Sequence, residues 1–82
     1  GIMDQPIEQM VKPGSIVTWY NPLLHRDIVG LVLDEPFKNE AQHLVPRRDE
    51  YWHCSLFVEG KHMIKELTKD VKVIKTADKN IN

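Results

Sequence analysis

The sequence predicts an all-β domain, a small curled sheet of five short strands with one short helical turn before the last. Three observations carry this reading. A turn at Pro13-Gly14 opens directly into the β-branched and aromatic run Ile16-Val17-Thr18-Trp19-Tyr20. A second run, Tyr51 to Val58, alternates between two faces and ends in the turn Glu59-Gly60. Turn residues punctuate the remaining chain at short intervals, the pattern of a small barrel or of paired sheets.

Residues 1–11 form a polar N-terminal arm in which Ile7 to Val11 fits either one helical turn or an extended segment. Pro presets φ and Gly tolerates positive φ, so Pro13-Gly14 predicts a turn. The first strand, residues 15–20, places Val17 and Trp19 on one face and Ile16, Thr18 and Tyr20 on the other. Asn21-Pro22 ends it, and residues 21–27 read as a loop. The second strand, residues 28–33, contains Gly30, which marks a bulge or a place where another backbone comes close. Asp34-Glu35-Pro36 closes this strand, and residues 37–50 read as irregular.

In the third strand Trp52, Cys54, Leu56 and Val58 share the inward face, with Tyr51, His53, Ser55 and Phe57 opposite. Glu59-Gly60 joins it to a fourth strand, residues 61–66, as a two-residue hairpin. Thr68-Lys69-Asp70 forms a single turn before a fifth strand at Val71 to Ile74. Ile64, Leu67, Val71 and Ile74 also fit a helical stripe, but the β-branched run Val71-Lys72-Val73-Ile74 favours a strand. The chain reads as one domain spanning 1–82: an arm at 1–11, a barrel core at 12–75 and a polar tail at 76–82.

This order of parts resembles the Src-homology-3-like (SH3-like) barrel. The resemblance rests on Lys12-Pro13-Gly14-Ser15-Ile16-Val17, Gly30-Leu31-Val32, Trp52, Val58-Glu59-Gly60-Lys61 and Val71-Lys72-Val73-Ile74. The Lys-Pro-Gly opening with its Gly-x-Val second strand is similar to small uncharacterised barrels of tailed phages of marine bacteria. That resemblance adds association with a virion to the expected locations. In such a barrel the first and third strands flank the two long loops, so Trp19, Tyr20, Phe37, Tyr51 and Trp52 are expected near one groove. Tyr20, Phe37 and Tyr51, with Arg47 and Arg48 beside them, are the candidate partner-binding residues. The chain lacks the Ala-Leu-Tyr-Asp-Tyr-like strand of the peptide-binding signalling branch, which argues against recognition of proline-rich peptides.

Composition narrows the function. The 82 residues are 41% hydrophobic and 28% charged, which is globular. A core of this size leaves only about 3–5 kcal/mol of net stability, and self-association is a common way to add more. The net charge of −1 argues against a dedicated nucleic-acid binder. Charge is unevenly spread, however: residues 1–60 hold five Lys or Arg and nine Asp or Glu, and residues 61–82 hold six Lys and three acids. No charged-then-apolar leader and no long apolar run is present, so a cytoplasmic protein without a membrane span is expected.

No catalytic, cofactor or metal motif stands out. His53 and Cys54 are adjacent on a strand and point to opposite faces, and His25, His43 and His62 lie in separate elements without paired-ligand spacing. Cys54 falls on the inward face, where burial suppresses thiol reactivity. The leading expectation is a non-enzymatic protein-interaction or structural accessory module that binds a protein partner through the loops at 21–27 and 37–50. The alternative is weak nucleic-acid binding of the KOW or Tudor-like type, carried by the Lys series 61, 65, 69, 72, 75 and 79 with Arg47-Arg48. Ile16, Tyr20, Tyr51 and Phe57 form an apolar second face, for which either a homo-oligomer or the N-terminal arm supplies the cover.

Overall fold

A computed structural model describes residues 5–38 and 51–77. The Pro13-Gly14 turn forms as its residues dictate: Gly14 takes φ +92°, and the Ser15 N–H donates to the Lys12 carbonyl at 2.9 Å. Pro at the second position and positive φ at the third are the type II pattern. A single helical turn, α1 (Ile7–Met10), precedes it, and Val11 after that turn is completely buried.

Six strands follow: β1 (Ile16–Asn21), β2 (Arg26–Val32), β3 (Phe37–Lys38), β4 (Trp52–Val58), β5 (Lys61–Glu66) and β6 (Lys72–Lys75). All pairings are antiparallel, in the order β3-β4-β2-β1-β6, with β5 also paired to β4. The sheet therefore has six strands where five were expected, because Phe37 and Lys38 pair with His53 and Trp52. The expected loop at 21–27 is shorter, since pairing continues to Asn21 opposite Arg26. The Asn21 carboxamide oxygen accepts from the Leu23 and Leu24 N–H groups at 2.9 and 3.2 Å, closing the turn.

The link before the last strand is a turn in which the Val71 N–H donates to the Thr68 carbonyl, and the helical turn sits instead in the arm at α1. Residues 64–74 are strand, turn and strand, so the helical stripe is not used. Between β4 and β5, Glu59 and Gly60 both take positive φ, +51° and +83°. This is the mirror-image turn whose twist matches that of the strands it joins. Arg26 reaches across to the Glu59 carboxylate at 2.9 Å, an exposed pair that links the start of β2 to this turn.

Val17, Trp19, Ile28, Val32, Cys54 and Leu56 point to one face and form the core with Val11, Leu67 and Val71. Trp52 and Val58 pack against it half-buried. Gly30 lies on this inner face without a bulge: a Cβ there would stand 2.9 Å from Val58 Cγ2 and 3.3 Å from Leu56 Cδ1. Side chains of β4, rather than another backbone, occupy the space above it. The Ser15 hydroxyl, fully buried, accepts from the Lys12 and Ala77 N–H groups and ties the entry to β1 to the chain beyond β6.

Among the described residues the sheet is open, with β6 and β5 at its two ends, and side chains of β1 and β5 meet across its inner face. Lys65 on β5 lies 5.1 Å from the centre of the Trp19 ring on β1, although β4 and β2 stand between their strands in the pairing order. In a flat sheet those strands would be about 14 Å apart.

Candidate interaction surface

Strand alternation that turns Val17, Ile28, Val32 and Leu56 inward turns their neighbours outward. Ile16, Leu31 and Phe57 are direct cross-strand partners on the outer face, and the row continues to His62 on β5. Val29, Leu33 and Ile64 flank it. Leu31 is 38% exposed, Phe57 46% and Val29 50%, so one apolar patch centred on Leu31 faces outward across three strands. Ile7 and Val11 of the arm pack on the core cluster instead, so the described part of the arm does not cover this patch.

The rim of the patch is polar. Thr18 and Lys72 are outer-face partners on β1 and β6, and Lys75 stands opposite Ile16. Thr18, Tyr20, Asp27, Asp70 and Lys72 line a shallow recess of about 260 Å³ at the Tyr20 end of the sheet. The Thr68 hydroxyl donates to the Asp70 carboxylate, which holds that carboxyl below its ordinary range.

Of the residues singled out from sequence, Tyr20 and Tyr51 are half-exposed. Tyr20 stands opposite Asp27 and lines the recess. Phe37 stacks on His53, ring centres 6.0 Å apart, at the β3–β4 pairing. Trp19 is core, and Trp52 carries Lys38 Nζ at 5.3 Å from its ring centre. Arg47 and Arg48, and with them residues 39–50 of the expected binding loop, lie outside the described residues. The other expected loop is the turn at 22–25, where Leu23 is 89% exposed.

Sequence reading did not single out Val29, Leu31 and Leu33. Part of the signal was there: alternation in 28–33 puts these three opposite Ile28, Gly30 and Val32, but which of the two sets faces outward is decided by the contact of β4 side chains over Gly30.

Among the described residues no three His, Cys, Asp or Glu side chains gather in a way that could hold a metal ion. Cys54 is fully buried, and burial, with a smaller contribution from the Asp34 charge, pushes its thiol up from 9.0 to about 11. A thiol held neutral in this way is a packing group rather than a nucleophile. No described helix is long and apolar enough to cross a membrane. Comparison with protein-family models, curated proteins and solved structures finds no match to this chain.

Proposed function

We propose that the chain is a small SH3-like barrel that works as a non-enzymatic protein-interaction or structural accessory module. The supporting observation is the apolar patch of Val29, Leu31 and Phe57, which no side chain among the described residues covers. Contiguous apolar surface rimmed by polar groups is the usual mark of a protein interface. This reading places the partner site on the sheet face, where the patch spans three strands; of the two loops expected to bind, the described turn at 22–25 offers Leu23 and Leu24, and 39–50 lies outside the described residues. Affinity capture from the source lysate with the wild-type chain and with Leu31→Asp as baits tests it. Retention of a partner by the first and its loss by the second is expected; equal capture by both contradicts the proposal.

A second reading, nucleic-acid binding, draws on the exposed Lys61, Lys69, Lys72 and Lys75 along β5, β6 and the turn between them. Lys65 is withdrawn from that series by its contact with Trp19. Binding through these lysines would weaken steeply with salt, and flat fluorescence anisotropy of labelled RNA and DNA at low salt would remove the reading.

A further inference from the structure

Among the described residues β5 is a strand with one open side. It pairs with β4 over six consecutive residues, Lys61 to Glu66, without bulge or proline, and with no other strand among the described residues. Antiparallel ladders alternate, so every second residue of an outer strand directs its N–H and C=O away from its neighbour. The Leu67 N–H donates to the Trp52 carbonyl at 2.8 Å, which sets the phase. Leu67, Lys65, Met63 and Lys61 bond towards β4; His62, Ile64 and Glu66 present their backbone groups to the open side. The Glu66 carbonyl also accepts from the Thr68 N–H at 3.1 Å and keeps its second lone pair.

Natural sheets guard such edges with lysines, prolines or bulges. Here the guard is partial. Lys65 is drawn onto Trp19, and the exposed side chain at the middle of the edge is Ile64, at 55%.

We propose that β5 of a second copy of this chain pairs with this edge, antiparallel, with the two-fold axis passing midway between the two Ile64 residues. Two side-chain contacts single out a second copy as the occupant. Residues paired across a continuous sheet must share a face and be in hydrogen-bonding phase, and centring the two-fold on the Ile64 pair satisfies both. That register sets Ile64 against Ile64 of the second copy and His62 against its Glu66. The strand is thus self-complementary in hydrogen bonding, with an imidazole N–H facing a carboxylate on each side of an apolar contact. The pairing also joins the two outer faces at Ile64, widening the surface proposed above for a protein partner, though it stands on backbone phase and not on that reading.

The experiment is to measure molar mass by light scattering from low micromolar to near-millimolar concentration. The wild-type chain is expected to pass from monomer to dimer. Ile64→Pro removes the outward N–H, which β4 does not use, together with the isoleucine side chain at the centre of the contact, so β4 pairing is retained and the dimer is weakened roughly tenfold or more. Ile64→Lys restores a conventional edge guard and gives the same loss if the Pro variant folds poorly. Register is tested by disulfide formation. Self-paired residues in this ladder have Cα atoms about 5.5 Å apart, within disulfide range. Oxidised Ile64→Cys is therefore expected to form a covalent dimer and Lys61→Cys is not. A wild-type monomer at every concentration, a dimer that survives Ile64→Lys, or equal cross-linking at 61 and 64 overturns the proposal. Leu31→Asp separates the two readings: it leaves this dimer intact while abolishing capture of the protein partner.

Discussion

Lys65 and Trp19 meet across the inner face of the sheet, the ammonium 5.1 Å from the ring centre, from strands that are not neighbours. The lysine stem covers the indole and its charge sits over the π face, so one residue supplies both packing and a cation–π attraction. Trp19→Ala is expected to cost about 3–5 kcal/mol, enough to unfold a domain of this size. Lys65→Met keeps the stem and should cost only about 0.5–2 kcal/mol. Urea unfolding measures both, and a Lys65→Met chain as unstable as Trp19→Ala would show that the charge is not the smaller part.

Gly30 is required for close packing, not for backbone freedom. A Cβ would press against Val58 Cγ2 and Leu56 Cδ1, and both belong to side chains already held on the inner face. Gly30→Ala is expected to destabilise by about 1–3 kcal/mol through overpacking. Restored stability in Gly30→Ala/Val58→Ala, relative to the sum of the single changes, is the corresponding double-mutant result. Strict additivity would contradict the contact.

Leu56→Ala should cost about 2–5 kcal/mol, because Leu56 is completely buried in the core cluster. Phe57→Ala, one residue along but on the outer face, should leave the thermal midpoint of the monomer nearly unchanged. Equal losses from the two would reverse the assignment of the faces.

Cys54 makes stability fall at alkaline pH. Below 9.0 the thiol is protonated in both states; above it the unfolded chain ionises while the folded one holds its proton to about 11. The unfolded state then binds fewer protons, so stability drops as pH rises through this window, by at most about 1.4 kcal/mol per pH unit. Cys54→Ala is expected to remove this component of the slope. An identical alkaline slope in both chains would contradict it.

Much of the inner face was legible in the sequence because period-two alternation depends only on local order. Val17 with Trp19, and Cys54 with Leu56, lie inward as the pattern requires. The turns at Gly14 and Gly60 were legible for an equally local reason, the need for positive φ. β3 was not, since two residues carry no period and become a strand only by lying beside β4. The link before β6 was misplaced as helical because a three-residue polar segment fits a β-turn and a helical turn alike. The outward patch was missed for a different reason: which face of residues 28–33 is buried depends on Leu56 and Val58 filling the space over Gly30, a contact between distant parts of the chain.

The most direct measurement of the central claim, that the outer sheet face is where a partner binds, is site-specific photo-cross-linking in the source lysate. A photoreactive phenylalanine analogue at position 57 lies in the patch, and one at position 23 projects from the 22–25 turn. A discrete protein adduct is expected from position 57 and none from position 23. An adduct from position 23 alone would contradict it and place the partner at the turn.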